Sequence, residues 1–541
     1  MKKVILFTES LTQRDAVGND VLGMFRTLTH AGYDAHLCAN YTNVSEKVLR
    51  PNQAKYLLED PNNVAVYHLS LAWPNFLDAF LESKAKLIIR YHNITPSKYF
   101  RTTNAHLAAM CDVGRTELAK FAARPGTKYL PASQFNESEL LALDVPPSNS
   151  HVVPPFHVVG ELIDLTDDPA TLEEIGKSEV NFLAVGRLVP NKGHDMLLQA
   201  FAVYYHWFNR NARLHIIGKE DPQQPLYGEM LRHTINTLGI AGAVVFTGSV
   251  SPEALKTYYN HTTAYMLVSE HEGFCVPAVE AMALACPLVS YASSAIPGTV
   301  GDAGLVWKDF RPELFASSLN HLITNTDLRN KLIQAGKARY NNFFSEQAIQ
   351  EQFLGSFRAL CNEQETPKPM AAECLSSSVM GWELEKADLE SILANADLIQ
   401  QKYPIINLFS RTSAQKFATK PTETDEDRLS AFHQLFIDRY RWGMRGLEQS
   451  HQRGEKELGR TLNIHTDILL RQKIQQLGFF KRTVALLLLP IFEIMRKVLF
   501  RPQKGFNSAI SESIAWTQLT LEQLVDRVQE LEEKLTTKSA K

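Results

Sequence analysis

The chain has 541 residues, of which 45% are hydrophobic and 21% charged, with a formal net charge of −3. This length exceeds a single core and predicts two or three domains, and the composition is that of a soluble globular protein. The near-neutral charge gives no reason to expect nucleic acid as a partner. The six cysteines form no CxxC pair, which argues against zinc or a disulfide framework and favours a reducing cytoplasm.

The N-terminal part alternates short apolar runs with amphipathic helical stretches. The N-terminus itself has too short an apolar run for a signal peptide. Continuous apolar runs bounded by turn residues, with helices between them, are typical of buried strands in parallel sheets. The predicted strands of this part are residues 2–7, 34–39, 64–69 and 86–92. Proline-rich segments end the series near residue 155.

A second series of the same kind follows an acidic stretch. Its predicted strands are residues 181–186, 213–218, 244–248, 264–269 and 287–291. The fold class predicted from the two series is α/β, with two doubly wound Rossmann-like domains that face each other across a cleft. Ligands of such sheets bind outside the carboxyl ends of the strands, so the cleft is the expected site.

The composition changes after residue 361. Residues 362–378 have the character of a linker, and residues 379–541 are predicted to form a mainly α-helical extension. The segment 479–504 contains the most apolar window, which charges and a proline interrupt and which is too short to span a bilayer. It is either a buried helix pair or a membrane-interfacial segment with basic flanks. Leucines at heptad spacing in residues 517–536 predict a short coiled coil that could mediate self-association.

Two glutamates eight positions apart mark the end of the predicted strand 264–269. Glu272 lies in the loop after this strand, and Glu280 lies one turn into the helix that Pro277 begins. The N-terminus of a helix presents free N–H groups that bind anions, and a carboxylate beside it can accept hydrogen bonds from sugar hydroxyls. The carboxylates would not bind the anion themselves, so the pattern calls for a cation nearby.

Two basic residues upstream supply that charge. Arg187 follows Gly186 at the end of strand 181–186, and Lys192 precedes the next helix. An arginine fork and a lysine point charge over one turn suit a diphosphate. They would also stabilise the negative charge that develops on a diphosphate leaving group.

The segments GRLVPNKG and EHEGFCVPAVEAMA together resemble the paired signature of the retaining GT-B glycosyltransferase family 4, of the bacterial polysaccharide type. The resemblance covers roughly residues 1–360. It implies an acceptor-side domain and a nucleotide-sugar-binding domain, followed by a helix that crosses back onto the first domain. The implied bounds are 1–160, 178–340 and 341–361, before the linker and the helical extension.

The resemblance also assigns roles in the second domain. Arg187 and Lys192 would bind the donor diphosphate, and Glu280 would hold the ribose hydroxyls. Glu272 would contact hydroxyls of the transferred sugar. Further donor-binding positions are the turn at Gly186 and the backbone N–H groups of Gly273, Phe274 and Cys275.

In the first domain the resemblance gives fewer residues. His92 fits the family's histidine just after a strand and would face the donor sugar. The glycine loop that follows the first strand in the family has its counterpart at Gly18 and Asn19.

The implied activity is transfer of a sugar, with retention, from a nucleotide-diphospho-sugar to a glycan or lipid-linked acceptor in cell-surface polysaccharide or glycolipid synthesis. The nucleotide sugar is a co-substrate and no other cofactor is expected. No D-x-D-like carboxylate cluster accompanies the basic pair, so no metal is expected. The implied location is the cytoplasm, at the inner face of the cell membrane if the segment 479–504 contacts lipid. The alternatives are a scaffold protein with an inactive GT-B domain, and an epimerase or phosphorylase of the same architecture.

Overall fold

The computed structural model describes residues 2–13, 15–362 and 384–402. The predicted interfacial segment 479–504, the predicted coiled coil 517–536 and all but the first residue of the predicted linker 362–378 lie outside the described residues. The described chain forms two six-stranded sheets in which every strand pair is parallel.

The first sheet has the strand order β3-β2-β1-β4-β5-β6. Its central strands are mostly apolar and buried on both faces, as expected when helices cover both sides of a parallel sheet. The sequence pattern did not predict two of its strands, β3 with two residues and β6 with four. The strands are β1 Lys3–Leu11, β2 Asp34–Thr42, β3 Val48–Leu49, β4 Val64–Leu69, β5 Lys86–Tyr91 and β6 Lys128–Pro131.

The second sheet has the order β12-β11-β10-β7-β8-β9. Counted within each domain, both sheets have the order 3-2-1-4-5-6 that is typical of dinucleotide-binding α/β domains. The prediction of two doubly wound Rossmann-like domains is therefore confirmed. The strands are β7 Val180–Val185, β8 Ala212–Ile217, β9 Val244–Gly248, β10 Ala264–Leu267, β11 Leu288–Tyr291 and β12 Gly304–Trp307.

Helices connect the strands, and several begin at a side chain that accepts hydrogen bonds from the free N–H groups of the first turn. Asp15 does so for the first long helix, and Ser133, Ser251 and Ser345 do so for later ones. The α-helices are α1 Ala16–His30, α2 Pro51–Ala54, α3 Pro74–Leu81, α4 Ala105–Ala123, α5 Gln134–Leu141, α6 Val159–Ile163, α7 Pro169–Ile175, α8 His194–Trp207, α9 Pro225–Thr237, α10 Pro252–His261, α11 Val276–Ala283, α12 Ile296–Val300, α13 Pro312–Thr324, α14 Thr326–Arg339, α15 Glu346–Leu360 and α16 Lys386–Lys402. The 3₁₀ turns are Lys55–Glu59, Ser97–Tyr99, Pro147–Asn149 and Pro190–Lys192, and a π-helical turn spans Tyr340–Phe344.

The chain returns to the first domain through α15. Ile349, Phe353 and Phe357 are fully buried in the core of the first domain. The ring of Phe353 meets that of Phe156 edge-on at 5.7 Å. This helix therefore ties the end of the second α/β series to the first.

The helix α16 lies on the second domain. Its buried Ile392, Ala396 and Ile399 join the core of that domain. Asp388 accepts hydrogen bonds from His321 and Asn325, each at 2.8 Å. No helix in the described part of the chain is long and apolar enough to cross a membrane.

Candidate active site

The predicted residues of the second domain lie at the switch point of its sheet. The strands β7 and β10 are neighbours whose onward connections run to opposite halves of the sheet. Crevices at such points hold ligands because the loops that follow the two strands separate there. Arg187 follows the end of β7, and Glu272 follows the end of β10. The fold thus brings two sequence motifs 80 residues apart to one edge.

Lys192 and Glu272 form an ion pair at this edge. The Nζ of Lys192 donates to Oε1 of Glu272 at 2.7 Å, and their side chains are 21% and 10% exposed. The lysine stem passes over Gly186, where a Cβ atom would lie 3.7 Å from Cε of Lys192. The sequence separately predicted a phosphate-binding lysine and a sugar-binding glutamate, and the structure places them in direct contact.

Arg187 differs from its basic partner. Its side chain is exposed, and it makes no hydrogen bond or ion pair with any residue that the structure describes. Arg187 directly follows Gly186, the residue over which the stem of Lys192 passes. The edge therefore carries one cation held by a carboxylate and a second, adjacent cation that an anionic ligand can engage.

Glu280 lies in the middle of α11 and is mostly buried. Its Oε2 accepts a hydrogen bond from the hydroxyl of Tyr259 at 2.8 Å. Burial raises the pKa of Glu280 to about 7, although the Tyr259 hydrogen bond partly counteracts this effect. A carboxyl with this pKa is half ionised near neutral pH, so small changes in its surroundings alter its charge.

The turn between Glu272 and α11 contains backbone N–H groups that no described residue accepts. Cys275 has a left-handed φ of 82°, which turns the chain sharply into the helix. The N–H of Glu272 donates to Oγ of Ser294 at 2.7 Å. No acceptor among the described residues takes the N–H groups of Gly273, Phe274 or Cys275. Free N–H groups at the start of a helix are suited to anions and to hydroxyl oxygens.

The two domains touch each other at this turn. A Cβ atom on Gly273 would lie 2.1 Å from the carbonyl oxygen of His92, so only glycine fits there. The Nε2 of His271 lies 2.7 Å from Oδ1 of Asn93. Because the Nδ2 of Asn93 donates to Glu139 at 2.8 Å, its Oδ1 is the acceptor and His271 carries the proton on Nε2. His92 precedes Asn93 in the first domain, and Glu272 follows His271 in the second. The contact therefore holds His92 and Glu272 on opposite sides of one interface.

His92 lies directly after β5 with its side chain 10% exposed. Burial lowers the pKa of His92 to about 4, although the carboxylate of Asp20 acts in the opposite direction. The imidazole is therefore neutral near pH 7. The predicted histidine is thus at the contact between the domains, in a form that carries a single ring proton.

Gly18 and Asn19 do not form the predicted loop. Both lie in the first turn of α1, because Oδ2 of Asp15 accepts the N–H groups of Val17 and Gly18 and starts the helix before them. A Cβ atom at Gly18 would lie 2.1 Å from the carbonyl oxygen of Thr12. Close packing of the helix against the loop that follows β1 therefore accounts for this glycine.

Three buried polar residues around His92 escaped the sequence analysis. They are Asp20 on α1, His68 on β4 and Arg90 on β5. The available signal was a polar residue inside a continuous apolar run, as in VAVYHL and KLIIRYH, because a buried charge needs a partner. The ligand atoms of Asp20, His68 and His92 lie within 4.8 Å of one another and are of types that hold transition metals. The guanidinium of Arg90 lies 2.7 Å from the same Oδ2 of Asp20, which opposes a second cation there.

The second domain resembles a known protein family. Residues 172–339 match the family model of the glycosyl transferases group 1. This range contains the two basic residues, both glutamates and the turn between them. The family match therefore coincides with the edge at which the structure gathers the predicted donor-binding residues.

Individual relatives agree with the family match. The chain is 29% identical, over 34% of its length and 42% of the relative, to a D-inositol 3-phosphate glycosyltransferase of Acidothermus cellulolyticus. It is 32% identical, over 26% of its length and 32% of the relative, to a mannosylfructose-phosphate synthase of Agrobacterium fabrum. The chain thus spans less than half the length of these curated relatives.

Solved structures extend the likeness to the first domain as far as the fold is concerned. The sucrose-phosphate synthase of Thermosynechococcus elongatus superposes with a TM-score of 0.52 at 16% identity, over 67% of this chain and 100% of that one. At this identity the likeness shows the fold alone. It supports the GT-B arrangement of two Rossmann-like domains.

Proposed function

We propose that the chain is a retaining glycosyltransferase that moves a sugar from a nucleotide-diphospho-sugar to a glycan or lipid-linked acceptor. One observation carries the proposal. The Lys192–Glu272 ion pair and the neighbouring exposed Arg187 lie at the switch point of the second sheet, where Gly273 contacts the carbonyl oxygen of His92 in the first domain. Two cations, a carboxylate and a histidine of the first domain therefore lie around one point, which supports the roles proposed for them below.

The diphosphate of the donor would bind between Arg187 and Lys192. Arg187 offers a planar fork that can bond two oxygens, and Lys192 offers a point charge. The Glu272 carboxylate holds Lys192 in place before the donor arrives. Fixed positive groups at a leaving group stabilise the charge that develops as the glycosyl bond breaks. Because these two side chains supply the positive charge, the proposed reaction does not call for a metal ion.

The rest of the donor would lie along the start of α11. The free N–H groups of Gly273, Phe274 and Cys275 would bind oxygens of the sugar or of the phosphate next to it. Glu272 would accept hydrogen bonds from hydroxyls of the transferred sugar. Glu280, one turn further along the helix, would accept hydrogen bonds from the two ribose hydroxyls.

The chemical step follows from these positions. The bond between the anomeric carbon and the phosphate oxygen breaks, and its electron pair leaves with the phosphate. The acceptor hydroxyl attacks the same face of the sugar and gives its proton to the departing phosphate oxygen. His92 is neutral and bears one ring proton, so it serves as a hydrogen-bonding group rather than as a charged acid. Closure of the domains at Gly273 keeps water out and limits hydrolysis.

The relatives support glycosyl transfer and leave the substrate open. Their names include an inositol-phosphate glycosyltransferase, a mannosylfructose-phosphate synthase and a capsular polysaccharide glycosyltransferase of Staphylococcus aureus. These names share sugar transfer and differ in sugar and acceptor. We therefore propose the reaction class and no particular nucleotide sugar.

A panel of nucleotide sugars without acceptor tests the proposal. Water can take the place of the missing acceptor hydroxyl, so slow release of one nucleotide from one donor is expected. The double variant with Arg187→Ala and Lys192→Ala is the control, and it should release none. If no donor is bound or cleaved, the scaffold alternative replaces the proposal.

We also propose that the protein works in the cytoplasm and contacts the inner face of the membrane through the segment 479–504. The basic residues Lys481, Arg482, Arg501 and Lys504 flank its apolar window. Flotation of the full chain with anionic vesicles tests this proposal, with neutral vesicles and a variant carrying glutamine at these four positions as controls. Equal recovery in the soluble fraction with both kinds of vesicle would remove it.

A further inference from the structure

A buried polar cluster lies beneath His92 at the switch point of the first sheet. Asp20, His68 and Arg90 form this cluster, and their side chains are fully buried. They come from α1, β4 and β5, which meet where the chain reverses its direction of winding. The reaction proposed above gives these three residues no role, although burying polar groups together is costly unless they are matched.

Asp20 and Arg90 form a neutral pair. The Nε of Arg90 donates to Oδ2 of Asp20 at 2.7 Å, and Nη2 of Arg90 donates to Oδ1 at 3.3 Å. Burial is the largest single effect and acts to raise the pKa of Asp20, but the neighbouring Arg90, His92 and His68 together outweigh it, so that pKa is lowered. The N–H of Phe156 also donates to Oδ1 of Asp20 at 2.8 Å. The carboxylate is therefore ionised, and both its oxygens are already engaged.

His92 turns one ring nitrogen towards this cluster. Its Nε2 lies 3.0 Å from Nδ1 of His68 and 3.4 Å from Oδ2 of Asp20. The two imidazole rings stack with their centroids 5.3 Å apart. Because Nε2 faces inward, Nδ1 is the ring nitrogen left for a ligand.

The surroundings of Nε2 of His68 indicate which nitrogen of each imidazole carries the ring proton. Its Nε2 is buried and makes no hydrogen bond to any residue that the structure describes. A buried N–H without an acceptor is rarer in proteins than a buried acceptor without a donor. His68 therefore carries its proton on Nδ1, and it can donate that proton to Nε2 of His92. The single ring proton of His92 is then on Nδ1.

We propose that His68, supported by the Asp20–Arg90 pair, is a positioning residue that holds His92 in the tautomer whose Nδ1–H is a hydrogen-bond donor to the sugar donor. The acceptor of that bond would be a hydroxyl of the transferred sugar or an oxygen of its phosphate. A neutral donor held in one orientation stabilises charge on oxygen without giving up a proton. This inference rests on the proposed function and adds a residue from β4 to it.

The alternative role for the same atoms is a metal site. A divalent ion bound to Asp20, His68 and His92 would stand beside the permanent charge of Arg90, which bonds the same oxygen at 2.7 Å. The hydrogen-bonded cluster satisfies the carboxylate without any ion. Metal analysis of the purified protein separates the two roles, because a stoichiometric ion that His68→Phe abolishes would overturn the positioning role.

Two substitutions at His68 test the proposal. His68→Phe keeps a ring of similar shape and removes the donor, whereas His68→Asn returns an amide N–H near the position of Nδ1. We expect His68→Phe to lower kcat by about 10- to 100-fold, with the KM of the sugar donor changed by less than about twofold. His68→Asn should recover most of the lost kcat.

His215→Phe is the matched control. His215 is equally buried, in β8 of the second domain, and bonds Asn181 at 2.8 Å. Its replacement should lower thermal stability to a similar degree and leave kcat within about twofold. Equal kcat losses in His68→Phe and His215→Phe, or no recovery in His68→Asn at equal stability, would overturn the positioning role. A complete lack of donor turnover in the unsubstituted protein would instead refute the proposed function, together with the inference that depends on it.

Discussion

At the carboxyl edge of the second sheet the basic side chains reach solvent, whereas at the same edge of the first sheet the charged side chains are fully buried. Arg187 is exposed, and Lys192 is 21% exposed. Asp20 and Arg90 are fully inaccessible. The two domains share a strand order, so the strand order does not explain why one edge is solvent-accessible and the other buried. We relate the difference to the role proposed for each edge. The second edge would bind a charged ligand directly, and the first would orient one neutral group towards it.

The largest expected effect comes from the charged edge. Lys192→Ala or Arg187→Ala should lower donor turnover by about 10²- to 10³-fold, because either change removes a positive group from the leaving phosphate. Thermal unfolding should change little. Lys177→Ala is the matched control, since Lys177 makes a similar ion pair with Glu174 at 2.6 Å before β7 rather than after it. Near-normal turnover of both site variants would count against the difference between the two edges.

The second-largest effect on turnover is expected at the contact between Gly273 and the backbone of His92. Gly273→Ala places a methyl group where the carbonyl oxygen of His92 now lies, so the domains must move apart. We expect kcat to fall by about 10- to 100-fold, since small displacements of reacting groups have effects of that size. Gly242→Ala is the control, because no atom lies within 4 Å of a Cβ atom there. Unchanged turnover of Gly273→Ala would show that the edges work independently.

A pH effect of about tenfold is expected from Glu280. Its pKa of about 7 means that the carboxyl is protonated below this pH and charged above it. If the charged form binds the ribose, nucleotide affinity should rise about tenfold between pH 6 and pH 8. Isothermal titration of the nucleotide measures this dependence, and Glu280→Gln should abolish it. Tyr259→Phe should move the transition to higher pH, because it removes the hydrogen bond to the charged form.

The unliganded fold should show the opposite trend at Glu280. A raised pKa in the folded state favours the protonated carboxyl there. The contribution of this group to the free energy of unfolding therefore falls as the pH rises from 4.5 towards 7. Comparing the wild type with Glu280→Gln by chemical denaturation across this range isolates the contribution. A difference that grows in the other direction would contradict the assigned burial.

The smallest effect concerns the hydrogen bond between the domains. His271→Phe leaves the buried Oδ1 of Asn93 without its donor, which should lower the free energy of unfolding by about 1 to 3 kcal/mol. Turnover should change by only a few-fold, because neither residue is proposed to touch the sugar. His271→Gln keeps a donor and is the control. A variant as stable as the wild type would mean that the contact does not hold the domains together.

The sequence pointed to the residues that lie together at the edge of the second sheet and missed three buried residues at the edge of the first, for a physical reason. Glu272 and Glu280 lie in one strand–turn–helix unit, and Arg187 and Lys192 lie in another, so local spacing already fixes how each pair is presented. Asp20, His68 and Arg90 come from three elements, and only the assembled sheet brings them together.

The elements of the fold also divide into those that the local sequence pattern predicted and those that it did not. Continuous apolar runs predicted the central strands, whereas β3 and β6 lie outside those runs at the two ends of the first sheet. The helix cap at Asp15 moved Gly18 and Asn19 from the predicted loop into α1. That outcome depends on one side chain and two N–H groups, which periodicity alone does not show.

The most direct test of the central claim compares nucleoside diphosphates with the matching monophosphates in the wild type and in the double variant with Arg187→Ala and Lys192→Ala. Thermal shift measures the binding, since a ligand that prefers the folded state raises the melting temperature. One diphosphate is expected to stabilise the wild type far more than its monophosphate, and the double variant should lose this difference while the monophosphate still binds. An equal preference for the diphosphate in both proteins would contradict the claim that these two cations hold it.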